Sequence, residues 1–330
     1  MPKVLVSSRS FAQIVSIGEE ILREAGFEVC LIGPEERPLD EMKMKAIVAR
    51  EDPEAIVSGT EPLTAHVFSA AKELRIVIKH GVGVDNIDLS AATASGVVVA
   101  NAPGTNTESV ADWVIGTMLV LLRGFCAANR SIREGRWERS RFLGHDLGAK
   151  TVGVIGTGRI GIAVVKRLRP FEPKVLAYDV VENPDLTAMG AVRYTTLEEL
   201  LEESDLVSLH VPLTEETRNM IGAAELARMK RSAYLINGAR AGLVDEAALY
   251  EALQARHLAG AALDMLATKP PQASLLAGLD NVFVTPHIAA VTTEAMERMD
   301  RMCAETIVDA FKGKQLQNVL NPVVFELDND

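Results

Sequence analysis

The stretch Thr151-Val-Gly-Val-Ile155-Gly156-Thr157-Gly158-Arg159-Ile160-Gly161 decides the fold. A β-branched apolar run stops at three spaced glycines, and apolar residues at helical spacing follow from Ile162 to Leu168. Strand, glycine turn and helix in that order open a dinucleotide-binding βαβ unit. Gly156 suits the tight turn, Gly158 lets the backbone approach a pyrophosphate, and Gly161 lets the helix pack closely on the strand. Thr157, Arg159 and Ile160 complete the cofactor loop. Asp179 ends the next strand, where a carboxylate accepts both ribose hydroxyls of NAD and repels a 2′-phosphate. Val180 and Val181 follow and supply no arginine for such a phosphate, so NAD is favoured over NADP.

Strand patterns continue at Val175 to Asp179, Leu206 to His210, Tyr234 to Asn237, Ala261 to Asp264 and Val282 to Thr285, with helix patterns between them. Six strands with helical crossovers predict a doubly wound parallel sheet. Upstream, Val4 to Val6, Val29 to Ile32, Ala55 to Val57, Arg75 to Ile78 and Val97 to Ala100 alternate with amphipathic stretches and predict a second α/β sheet. The apolar spacing from Thr107 to Arg130 predicts one long helix, capped by Asn106 or Thr107. The helix pattern Thr292 to Lys312 is placed back against the first sheet. The reading is therefore α/β with two doubly wound domains and a cleft between them. Residues 1–102 with 290–330 form one domain, and residues 103–289 form the NAD-binding Rossmann domain.

A chain of 330 residues exceeds the size at which one core stops growing, which agrees with two domains. Its net charge of −11 argues against nucleic acid and anionic lipid as partners. An anionic substrate must then be held by a few placed cations and backbone amides. Cys30, Cys126 and Cys303 show no metal-ligand spacing and read as small buried hydrophobes, so no metal is expected. No basic leader or long apolar run is present, which points to the cytoplasm.

Three segments lie where strands end, the side on which open α/β sheets bind ligands: Asn237-Gly238-Ala239-Arg240, Ala262-Leu-Asp264 and Thr285-Pro-His287. Arg240 offers a forked cation for a carboxylate, and His287 a group that moves protons near neutral pH. Taken singly, Arg240 also fits a surface charge at a helix start, and His287 a structural histidine.

Together these segments resemble the D-isomer-specific 2-hydroxyacid dehydrogenases, in their phosphoglycerate-dehydrogenase-like branch. The resemblance runs from about Arg75 to Thr293 and rests further on Gly81-Val82-Gly83-Val-Asp-Asn-Ile-Asp88, Asn101-Ala-Pro-Gly-Thr-Asn-Thr107 and His210-Val211-Pro212-Leu-Thr214. It implies a flavodoxin-like substrate domain, Arg240 as the group that binds and polarises the substrate, and His287 as the acid/base. It also implies carboxylate binding by the amides of Gly81, Val82 and Gly83. On the cofactor side it implies Thr107 and Asp264 near the nicotinamide, His210, Val211 and Pro212 at the adenine, and Gly238 and Ala239 nearby. The helix from Thr107 is expected at a homodimer interface.

One position departs from that pattern. Where the family carries a glutamate that supports the catalytic histidine, this chain has Lys269. A like charge lowers a histidine pKa, so Lys269 either weakens the relay, reaches the substrate, or points to solvent. Arg9 and Ser10, after the first strand, and Lys79 and His80, before the glycine loop, are further substrate-side candidates. The function expected is NAD-dependent hydride transfer with a small D-2-hydroxy or 2-keto acid that carries a second anionic group. The alternative is an NAD(H)-binding sensor or a member with altered chemistry.

Overall fold

The computed structural model describes residues 1–268 and 273–327, in two compact units: Met1–Asn106 with Val291–Asp330, and Thr107–Ala290. In the first unit β1 (Lys3–Val6), β2 (Glu28–Leu31), β3 (Ala55–Ser58), β4 (Ile76–Lys79) and β5 (Val98–Ala100) form a sheet in the order β2-β1-β3-β4-β5. All its pairings are parallel. This is the flavodoxin-like order, whose switch point lies between β1 and β3. Ala55 to Val57 and Ile76 to Ile78 are buried, as strands covered on both faces require. One face packs on Phe11, Leu22 and the helix Thr293–Phe311, and the other on Met44, Ile47 and Phe68.

The second unit holds seven parallel strands: β6 (Thr151–Ile155), β7 (Lys174–Tyr178), β8 (Arg193–Tyr194), β9 (Leu206–Leu209), β10 (Tyr234–Asn237), β11 (Gly260–Leu263) and β12 (Val282–Val284). Their order is β12-β11-β10-β9-β6-β7-β8, the Rossmann order with one strand added at an end. The sequence reading anticipates six of them and misses the two-residue β8.

The single helix expected over 107–130 is two helices, Thr107–Arg123 and Phe125–Arg133, bent by 60°. Gly124 sits between them with φ of +58°, a left-handed backbone that stops a right-handed helix. Of the cysteines only Cys303 is buried. Cys30 is half-buried and Cys126 exposed, which corrects the expectation for both. No single helix among the described residues is long and apolar enough to cross a membrane.

Candidate functional site

In the second unit the order reverses between β6 and β9. The glycine loop leaves β6 there, and His210-Val211 leaves β9 there. A Cβ on Gly156 would lie 2.8 Å from the His210 carbonyl carbon, and one on Gly161 would lie 2.0 Å from the Gly156 oxygen. Both glycines are therefore demanded by the protein's own packing. At Gly158, which caps the ten-residue helix Arg159–Leu168, an added Cβ meets nothing within 4 Å. The packing does not explain that glycine, whereas a pyrophosphate laid against the helix N-terminus does. Thr157 is buried, while Arg159 is exposed and Ile160 half-buried.

Asp179 directly follows β7. Its Oδ2 accepts the Thr157 backbone N–H at 2.6 Å and the Thr157 hydroxyl at 3.1 Å. Val180 and Val181, the two residues after Asp179, stand 90% and 74% exposed and carry no charge. Burial pushes the His210 pKa down to about 4, which keeps the ring neutral, and its Nε2 has no partner among the described residues. Val211 is half-buried and Pro212 exposed.

At the other end of this sheet, Asn237, Leu263 and Val284 stand in register as the last residues of β10, β11 and β12. The segments carrying Arg240, Asp264 and His287 thus leave one sheet edge side by side, at the usual spacing of about 4.8 Å per strand. Asn237 clamps the first turn: its Nδ2 donates to the Arg240 carbonyl at 2.7 Å, and its Oδ1 accepts the Ala239 N–H at 3.0 Å. Gly238 lies close under Trp113: a Cβ there would stand 3.0 Å from the ring, which would have to shift by a few tenths of an ångström to admit it. Arg240 is half-buried, and its Nη1 donates to the Ala239 carbonyl at 2.9 Å.

His287 is exposed and holds φ of +57°. Non-glycine residues rarely take that conformation, which costs of order 1 kcal/mol and recurs at functional sites. Asp264, 1% exposed, holds the turn in place. Its carbonyl accepts the His287 N–H at 2.6 Å, and its carboxylate accepts the Thr285 hydroxyl at 2.6 Å and the Ile288 and Ala289 amides at 2.8 Å. Asp264 therefore anchors the histidine turn, a use the sequence reading missed, and Thr285 is part of that anchor. Thr107 begins its helix half-buried. Lys269 lies outside the described residues.

The first unit carries a second group of candidates at the β1/β3 switch point. In the glycine loop the Gly81 amide is spent on the Lys79 carbonyl at 2.9 Å. Among the described residues the amides of Val82 and Gly83 have no protein acceptor. Lys79 is buried, and its ammonium donates to the Gly59 carbonyl and to Asn86 Oδ1 at 2.7 Å, which ties the loops after β3 and β4 together. The His80 side chain is 1% exposed: Nε2 meets Asp300 Oδ1 at 2.7 Å, and Nδ1 faces the Ser10 and Ser8 hydroxyls at 3.0 and 3.2 Å. Asp300 also accepts the Ala12 N–H at 2.9 Å. Ser10 is half-buried and Arg9 exposed. Near Arg9 lies Arg37, whose pKa burial and then the Arg9 charge hold below its ordinary value, against the pull of Glu61. Sequence reasoning missed Arg37, Glu61 and Asp300. Among the described residues no group of three metal-ligating side chains occurs.

The pattern for D-isomer specific 2-hydroxyacid dehydrogenase, NAD binding domain, matches residues 115–289. A D-3-phosphoglycerate dehydrogenase of Archaeoglobus fulgidus is 45% identical over 267 residues, covering 81% of this chain and 51% of that protein. The chain thus spans about half the length of that relative. A glyoxylate reductase of Korarchaeum cryptofilum is 43% identical over 290 residues, covering 86% of this chain and 87% of that one. Among solved structures, a D-lactate dehydrogenase from Aquifex aeolicus, complexed with NAD and lactic acid, superposes with a TM-score of 0.85 at 31% identity, covering 97% of this chain and 99% of that one.

Proposed function

Because the chain belongs to the D-isomer-specific 2-hydroxyacid dehydrogenase family, we propose that it reduces a small 2-keto acid to the D-2-hydroxy acid, or runs the reverse, with NAD as cofactor. One observation carries the reading: a single sheet holds a dinucleotide loop at its switch point and, in register at β10 to β12, the turns that bear Arg240 and His287. NAD, when bound, supplies or takes the hydride. Arg240 grips the substrate carboxylate and polarises the neighbouring carbonyl. The Val82 and Gly83 amides are offered to a carboxylate in the first unit, and in the second His287 gives the developing alkoxide its proton or removes it in reverse. Residues 103–289 form the NAD-binding domain and carry Arg240 and His287, and residues 1–102 with 290–330 form the substrate domain.

Arg9 and Arg37 support a further anionic group on the substrate. The Arg9 charge disfavours that of Arg37, and among the described residues Arg9 pairs with no carboxylate. The test is NADH oxidation against a panel of 2-keto acids, with and without a distal carboxylate or phosphate, run beside NADH binding by fluorescence. Turnover to the D-product on an anionic member supports the reading. NADH binding without turnover on any member rejects it in favour of a sensor.

Lys269 is where a sensor or altered chemistry would originate. If it weakens the relay, Lys269→Glu raises the His287 pKa, moves the acid limb of the pH profile up and speeds reduction near neutral pH. If it binds or protonates the substrate, the same change raises KM or collapses kcat for that substrate. Kinetic constants and a pH profile identical to wild type leave Lys269 with neither role.

We further assign Phe125, Ile132, Trp137 and Leu143, which are 50%, 54%, 85% and 91% exposed, to contact with a second copy of the chain. Light scattering is expected to give twice the chain mass, and Trp137→Glu to lower it. A monomeric wild type rejects the assignment.

A further inference from the structure

Tyr194 stands on β8, the short edge strand whose register with β7 pairs Ala177 with Tyr194. Its hydroxyl belongs to a chain of hydrogen bonds that ends on the selectivity acid. The Asn183 backbone N–H donates to Tyr194 Oη at 2.8 Å, Tyr194 Oη lies 3.0 Å from Thr157 Oγ1, and Thr157 Oγ1 lies 3.1 Å from Asp179 Oδ2. The two ends fix the direction of the protons. An amide N–H only donates and a carboxylate oxygen only accepts, so Tyr194 donates to Thr157 and Thr157 donates to Asp179. With the Thr157 amide also on Oδ2 at 2.6 Å, one carboxylate oxygen is committed to the protein. The other, Oδ1, takes only a long contact from the Val181 N–H at 3.4 Å.

We propose that Tyr194, acting through Thr157, is a positioning residue for cofactor choice: it clamps Asp179 so that Oδ1 is the acceptor left for the ribose hydroxyls. An unclamped aspartate can rotate away from a 2′-phosphate and admit NADP. Here rotation breaks both charge-assisted bonds to Oδ2, so a 2′-phosphate meets a carboxylate that stays in place. The inference rests on NAD as cofactor and on Asp179 facing the ribose.

The test measures Kd for NADH and for NADPH by nicotinamide fluorescence on the intact protein, with no substrate present. Wild type is expected to prefer NADH. Thr157→Val removes the hydroxyl on Oδ2 and is expected to narrow the NADPH to NADH ratio of Kd about tenfold, the size of one hydrogen bond to a charged group. Tyr194→Phe leaves Thr157 free to turn and is expected to narrow it about threefold, because one link of a polarised chain is lost. Thr157→Ser keeps the hydroxyl and is expected to keep most of the wild-type ratio. A packing role alone would shift both Kd values together, so an unchanged ratio in Thr157→Val and Tyr194→Phe overturns the inference while leaving the reading of Asp179 intact. A wild type that binds NADPH as tightly as NADH overturns the reading of Asp179, and the inference with it.

Discussion

His287→Ala and Arg240→Ala are each expected to lower turnover about 100-fold to 10,000-fold while NADH affinity moves by no more than a few fold. His287 is exposed, and Asp264 and Thr285 hold its turn. Arg240→Ala keeps the backbone clamp from Asn237 and loses the guanidinium bond to the Ala239 carbonyl. His287→Asn adds a control, since asparagine tolerates the left-handed backbone at this position better than alanine does. Equal loss in His287→Ala and His287→Asn assigns the effect to proton transfer and not to a disturbed loop. Arg240→Lys keeps the charge but loses the planar fork, and a large part of the deficit should persist. Near-normal turnover in either alanine variant, with folding verified by circular dichroism, removes that residue from the mechanism.

The largest stability effect is expected at Asp300. Its carboxylate is fully buried and holds His80 on one oxygen and the Ala12 amide on the other. Asp300→Ala strands both partners in a dry interior, which costs about 3 to 5 kcal/mol, the range for breaking a buried polar pair. Asp300→Asn keeps the shape and an acceptor oxygen, so its cost should be about half as large or less. Replacing both members, His80→Phe with Asp300→Ala, should cost less than the two single changes added together, because the second change removes the stranded partner. Chemical denaturation measures all four. An Asp300→Ala protein within about 1 kcal/mol of wild type would mean that water reaches the pair and that its burial is not decisive.

The strands of both sheets were legible because parallel strands covered on two faces must read as short β-branched runs, and β3 and β4 do so without a break. The cofactor loop was legible because packing demands Gly156 and Gly161 where they stand. The helix break at Gly124 was not, since Phe125 and Ile132 continue the apolar spacing past it and a lone glycine is tolerated within many helices. β8 is too short to show a period. Asp300 left a trace: with Met296, Cys303 and Ile307 it lies on the apolar stripe of its helix, and an acid there calls for a buried partner. The partner, His80, is 220 positions away in sequence, a distance that no local pattern spans.

The first unit is assembled from both flanks of the second, and the two flanks are stitched together strand by strand. Val99 donates its amide to Asn321 Oδ1, 222 positions later, and Asn321 Nδ2 donates back to the Val97 carbonyl. During synthesis the dinucleotide-binding unit is continuous and can close as soon as Ala290 has emerged, whereas the amino-terminal segment made before it must wait. Until the helix Thr293–Phe311 arrives, the apolar face that includes Phe11, Leu22 and Ile76 has no cover. A ribosome that stalls short of Thr293 would therefore release a chain whose cofactor unit is folded and whose residues 1–106, made before it, are the ones open to proteases and aggregation.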